Sequence, residues 1–382
     1  MSLILTMGVA RFSYTPLIPV MLEQTSLSDF SAGLLATFNY LGYFCGVLIA
    51  ASVSDLMFKD RLYRIGLIIA VVSTFGMAIS ENMIVWSVMR FLAGFSSAAG
   101  LMIGSGLILN WLMRHNYRSE LGVHFMGIGL GIAITGVAVD LMIGSIDWRN
   151  QWIIFSIIGV ILAIPAWRWL PRPKNGLVTL TGEKLQDKPP SKRFTRLMQY
   201  AYFCAGFGYV ISATFIVAIV ERQPALSGQG EFVWIILGLT AIPAVVIWDR
   251  VARIVGTLDA LLICFILQII GIGLPLLNDG LEVVIISAIL YGATFVGIVS
   301  LVLTMAGKFY PTKPAKLMAR MTISYGVAQI AGPFLAGLLA EKSGHYQGGL
   351  MLAVIIMIIG AMILLSVRSV EKNTVDMLDE KV

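Results

Sequence analysis

Arg11 stands inside Gly8-Val-Ala-Arg-Phe-Ser-Tyr-Thr-Pro-Leu-Ile-Pro19, in the middle of an apolar run from about Leu3 to Leu22. A guanidinium offers five N–H donors in a planar fork and keeps its charge, so it suits an anion held by charge-assisted, bidentate bonds. At the centre of a bilayer it costs roughly 2.5–3.5 kcal/mol on insertion scales, which calls for a partner, a water-filled cavity or a ligand. Tyr14 and Thr15 follow three and four residues on and share its helical face, and Gly8 leaves room on the same stripe. Arg90 is a second cation inside an apolar run. No acidic residue sits at the middle of any run; Asp140 comes nearest, close to the end of its own. Two cations without a carboxylate favour an anionic ligand. The competing reading ties both arginines to backbone carbonyls, Asn39 or a tyrosine, where they fix helix packing.

Other polar side chains lie at depths where they need partners. Asn39 and Tyr40 fall in the second run; Tyr325 and Gln329, four apart, fall in the eleventh and face one side together. Tyr202, Tyr209, Tyr291 and Phe295 can form an aromatic wall or ordinary packing. His124, in the first turns of the fifth run, is the side-chain type that titrates near neutral pH and is a candidate proton carrier. Pro16 and Pro19 are expected to loosen the later half of the first helix and expose its backbone.

The elements that must position these groups are apolar and numerous. The chain is 58% hydrophobic and 13% charged, against about 25% charged in soluble domains, which excludes a soluble globular enzyme. Twelve runs of about 18–28 residues, each long enough to span a bilayer as a helix, lie near 3–22, 31–53, 62–80, 83–111, 120–143, 149–170, 197–220, 231–248, 257–277, 281–307, 317–340 and 347–367. No basic segment precedes the first run and no small-residue cleavage site follows it, so it is expected to stay as a helix.

Of the 27 Lys and Arg residues, 22 fall in alternate connections on one side, and only Arg149, Arg222 and Lys342 on the other. The positive-inside bias therefore puts both termini and the 168–196 connection in the cytoplasm. That connection holds Pro171, Pro173, Pro189 and Pro190 among charges and reads as a linker. The chain divides into a six-helix bundle at 1–170, a linker at 171–196, a second six-helix bundle at 197–370 and a cytoplasmic tail at 371–382. The halves repeat weakly at an offset of 198 residues: Glu23 with Glu221, and Arg-Phe-Leu-Ala-Gly94 with Ala-Ile-Leu-Tyr-Gly292. Under that offset Arg11 corresponds to Tyr209, and Arg90 to Ala288 beside Tyr291. On the cytoplasmic side Asp55, Asp60, Arg61 and Arg64 form either a gate whose ion pairs break on opening or a plain solvated loop.

The basic residues are scattered between apolar runs, so the net charge of +6 does not point to nucleic acid. Cys45, Cys204 and Cys264 lie inside apolar runs and read as packing residues. No Walker loop, metal-ligand cluster or nucleophile motif is present, so neither cofactor nor ATP drive is expected.

Ser54-Asp-Leu-Met-Phe-Lys-Asp-Arg-Leu-Tyr-Arg64 resembles the first cytoplasmic signature of the major facilitator superfamily, without its usual glycines. Arg90-Phe-Leu-Ala-Gly94 resembles the intramembrane Arg-x-x-x-Gly element of the same superfamily. Gly127-Ile-Gly-Leu-Gly-Ile-Ala-Ile-Thr-Gly136 is similar to the glycine-rich element of exporters but lacks its central proline, which weakens drug antiport. The Gly8–Pro19 stretch, Asn39-Tyr-Leu-Gly-Tyr43 and Tyr325-Gly-Val-Ala-Gln-Ile-Ala-Gly-Pro333 resemble the bacterial YbfB/YjiJ branch. The resemblance implies an all-α membrane protein with a midplane site lined by helices 1, 4, 7 and 10, and alternating access by rocking of the halves.

These readings converge on one expectation. It is a monomeric secondary transporter of the bacterial inner membrane, moving a small organic anion such as a carboxylate with a proton, by symport or antiport. Arg11, Tyr14, Asn39, Arg90, Tyr209, Tyr291, Tyr325 and Gln329 are its candidate substrate residues. An exporter of hydrophobic compounds and a non-transporting membrane sensor are the alternatives.

Overall fold

A computed structural model describes residues 1–53, 55–115, 121–173, 189–278, 280–309 and 315–379. Among them run twelve helices: α1 Ile4–Gln24, α2 Asp29–Ser52, α3 Leu56–Gly76, α4 Met83–Leu112, α5 Gly122–Met142, α6 Trp148–Trp169, α7 Lys192–Glu221, α8 Gly230–Val255, α9 Thr257–Leu277, α10 Leu281–Phe309, α11 Ala315–Ser343 and α12 Gln347–Asp379. Eleven are long and apolar enough to cross a bilayer; the remaining one is α3, which carries Lys59, Asp60, Arg61 and Arg64 in its first turns. The chain is a multi-pass membrane protein of two six-helix halves. Most of the expected linker, residues 174–188, lies outside the described residues.

Side-chain caps set several helix starts. Ser28, Asn82, Asp147 and Ser191 each accept from a backbone N–H one turn ahead, which satisfies donors the helix leaves free. Asp55 does the same for Phe58 at 2.6 Å. That cap moves the start of α3 from the expected 62 back to Leu56, so the basic Asp55–Arg64 stretch is helix rather than loop. Ser54 lies outside the described residues.

The first helix differs from expectation in a second way. Its irregular half is Ile4–Phe12, which is π-helical, whereas Tyr14–Gln24, with both prolines, is regular. A proline lacks an N–H and crowds the preceding turn, so the disturbance falls before Pro16 and not after it. In the π register the Arg11 carbonyl would look five residues ahead for its donor, and Pro16 has none to give.

The halves meet along two seams, α2 with α11 and α5 with α8. The 198-residue offset interchanges them. Gly94 of α4 lies against the Asn39 carbonyl of α2, and its counterpart Gly292 of α10 lies against the Leu237 carbonyl of α8; a Cβ at either would collide with backbone. Close approach therefore requires glycine at both. Cross-half hydrogen bonds gather toward one end of the bundle. There Arg222 Nη2 donates to both oxygens of Asp29 (2.7 Å each) and Tyr346 donates to the same carboxylate (2.7 Å). Glu341 accepts from the Phe30 N–H (2.9 Å), and Trp234 donates to Thr135 (3.3 Å). The Asp29 end is closed.

Candidate functional site

Both intramembrane arginines line one cavity between the halves. It is bounded by Arg11, Phe12, Tyr14 and Thr15 of α1, Ala36, Asn39 and Tyr40 of α2, Arg90 of α4, and Ala213 and Thr214 of α7. Its volume is about 10 Å³, room for about one water molecule, against about 300–1,000 Å³ in ligand pockets, so the site is closed down. Thr15 donates to the Ala213 carbonyl at 2.7 Å across its floor.

The two cations are held differently. Arg90 Nη1 donates to the Ala10 carbonyl (3.1 Å) and Nη2 to the Arg11 carbonyl (3.2 Å), filling the acceptor that Pro16 leaves without its π-register donor. Its guanidinium also lies 4.4 Å from the Tyr14 ring. Arg11 is bounded by rings: its Cζ is 4.4 Å from the Tyr40 centroid, 4.8 Å from Tyr43 and 5.5 Å from Phe12. Nη1 contacts Met7 Sδ at 3.9 Å, and Nε is buried without an acceptor. Among the described residues no carboxylate forms an ion pair with either arginine. Ring faces stabilise a cation by about 0.5–2 kcal/mol each, which helps to hold the Arg11 charge without a carboxylate.

The remaining expected residues separate. Tyr14 donates to the Ala32 carbonyl (3.0 Å), so only its ring and backbone serve the cavity. Asn39 donates from Nδ2 to the Arg90 carbonyl (2.9 Å), while Oδ1 is buried and unpaired. Tyr209 stacks on Phe295 (5.4 Å), Tyr291 (6.4 Å) and Tyr325 (5.8 Å), which forms the expected aromatic wall. Tyr202 joins it through Tyr325 at 4.5 Å. The Tyr291 hydroxyl is spent on the Tyr209 carbonyl (2.5 Å), and Tyr291 borders a second, mostly apolar space in the other half. Gln329 is buried with Oε1 unpaired and does not line the Arg11 cavity.

His124 sits in the first turn of α5, its ring against Phe125 (5.9 Å) and its Nε2 buried and unpaired, and it does not line the arginine cavity. Asp60 and Arg64 form a buried pair (3.0 Å), and Arg64 also donates to the Trp167 (2.5 Å) and Leu170 (3.1 Å) carbonyls. These contacts tie α3 to the end of α6 within one half. Asp55 is a helix cap and Arg61 is exposed.

Sequence reasoning missed three features. Tyr43 faces Arg11 from three residues beyond Tyr40, a spacing that was there to be read. The Asp29–Arg222–Tyr346 cluster joins residues 193 and 317 positions apart, for which no local signal exists. Glu231, 3% exposed in the first turn of α8 with Oε1 unpaired, falls at the edge of its run.

Comparison with known proteins agrees with this architecture. A family model described as "Uncharacterised MFS-type transporter YbfB" matches residues 3–365. An uncharacterised transporter of Schizosaccharomyces pombe, mfc1, is 31% identical over 39% of this chain and 30% of its own length. The uncharacterised transporter YgaY of Escherichia coli K12 is 26% identical over 46% of this chain and 44% of its own. The chain thus spans less than half the length of these two curated relatives. The crystal structure of the nucleoside transporter NupG superposes with a TM-score of 0.70 at 13% identity, over 96% of this chain and 98% of that one.

Proposed function

Because this chain belongs to the major facilitator superfamily of transporters, we propose that it carries a small organic anion, a carboxylate, by alternating access with coupling to protons. One observation carries this reading: Arg11 lines a cavity between the halves, its cation faced by aromatic rings and by no carboxylate among the described residues. In a medium of low dielectric an uncompensated cation favours an anionic occupant.

The substrate accepts from the fork of Arg11 between the Tyr40 and Tyr43 rings, and Arg90 fixes the α1 backbone that presents it. Both termini face the cytoplasm of a bacterial inner membrane, so the closed Asp29 end faces outward. Opening separates α2 from α11 and α5 from α8 on that side, breaking the Arg222–Asp29 pair and the Thr15–Ala213 bond. His124, or a weak acid carrying its own proton, supplies the proton linkage. The halves at 1–170 and 197–370 move as units about the linker.

Flux of radiolabelled carboxylates into proteoliposomes tests the reading, with an imposed pH gradient. Uptake that depends on the gradient and is lost in Arg11→Ala is the expected result. Export of neutral hydrophobic compounds, unchanged in Arg11→Ala, would instead establish a drug exporter, and binding without flux a sensor.

A further inference from the structure

Residues lining the Arg11 cavity carry a buried unpaired acceptor as well as buried unpaired donors. Asn39 Nδ2 donates to the Arg90 carbonyl at 2.9 Å, which decides the orientation of the amide, since two carbonyl oxygens would repel. Oδ1 is therefore an acceptor. Asn39 is 1% exposed, it lines the cavity, and its Oδ1 has no donor. The Nε atoms of Arg11 and Arg90, in the same wall, are buried donors without acceptors.

An ordinary carboxylate answers only half of this arrangement. It satisfies guanidinium N–H groups and leaves Oδ1 buried without a donor, a state that folded proteins seldom keep because the desolvation of that atom goes unrepaid. An occupant with an O–H or N–H beside its anionic group answers both. A site built to pair with a ligand donor discriminates strongly against the analogue lacking it, for the same reason.

We propose that the cavity selects small anions bearing a hydrogen-bond donor next to the charged group, hydroxy or amino acids, with Asn39 Oδ1 accepting from that donor. This rests on the anion-carrier reading above and narrows its substrate class. Asn39 becomes the specificity residue and Arg11 the affinity residue.

The test is equilibrium binding to the purified full-length protein in nanodiscs, using matched probes: lactate against propionate and glycolate against acetate. The hydroxy acid is expected to bind at least about tenfold more tightly in each pair, and 2-methoxypropionate, which keeps the oxygen but loses the donor, to bind no better than propionate. In Asn39→Leu the hydroxy-acid advantage falls to within twofold; in Arg11→Ala both members of each pair are lost. Equal binding within a pair, a methoxy acid as good as the hydroxy acid, or an advantage that survives Asn39→Leu overturns the proposal and leaves the anion reading standing. The methoxy comparison uses the unaltered protein, so it decides the matter even if Asn39→Leu does not fold. Binding of neither member of any pair overturns both readings together.

Discussion

Arg90 donates to the carbonyl of Arg11 at 3.2 Å, so one intramembrane arginine holds the backbone that presents the other. The carbonyl is available because Pro16 cannot serve it. The division of labour follows: Arg90 braces a π-helical turn, and Arg11 keeps its charge for the cavity. The second half repeats the device with different chemistry, where Tyr291 of α10 donates to the carbonyl of Tyr209, the residue that corresponds to Arg11.

Arg90→Ala is expected to lose stability, and Arg11→Ala to lose binding. Removing Arg90 strips donors from two buried carbonyls, at about 1–3 kcal/mol each, so thermal unfolding should come several degrees earlier. Arg11→Ala removes an unneutralised cation and should unfold at or above the temperature of the unaltered protein. Thermal scans of both variants check this; a larger fall in Arg11→Ala would reverse the roles.

Asp29→Asn should shift the population of states more than the stability. Arg222 is partly exposed, and such pairs contribute about 0.2–1 kcal/mol, a modest term in overall folding but several-fold in an equilibrium between closed and open forms. Accessibility of a cysteine placed at Thr15 to an impermeant thiol reagent measures the opening and should rise. Burial, with the Asp29 carboxylate beside it, pushes the Tyr346 hydroxyl above the ordinary phenol range. A raised value supports the closed form fully below the unperturbed value of about 10 and loses that support only as pH climbs through the raised one. The Tyr346 contribution should therefore be constant from about pH 6 to 9, and Tyr346→Phe should open the gate equally at both ends of that range.

Gly94→Ala and Gly292→Ala should be alike in effect. Each places a methyl group on a backbone carbonyl of the neighbouring helix, and overpacking of this kind costs about 1–3 kcal/mol. Comparable losses in thermal stability would support the 198-residue repeat as a structural equivalence. Indifference at one position would break it.

Much of the fold was legible because the bilayer imposes its length on every helix and its charge bias on every loop. The twelve runs, the two halves and the Gly94–Gly292 correspondence follow from composition and spacing alone. The start of α3 was misread because the Asp55 cap draws charged residues into the helix, where hydropathy stops too soon. The site was legible as a list of residues and not as a geometry: Arg11 announced itself by its depth, whereas the partners of Arg90 are backbone atoms, which leave no mark in a sequence. The Asp29–Arg222–Tyr346 cluster is a product of assembly between halves.

The most direct measurement of the central claim is calorimetric titration of the purified protein with a panel of small carboxylates, in the unaltered protein and in Arg11→Ala. The account predicts saturable binding of at least one carboxylate that falls by 100-fold or more in the variant, on the order of 3 kcal/mol for a charge-assisted pair in a buried site. Carboxylate binding undiminished in Arg11→Ala, or saturable binding confined to neutral or cationic compounds, would contradict it.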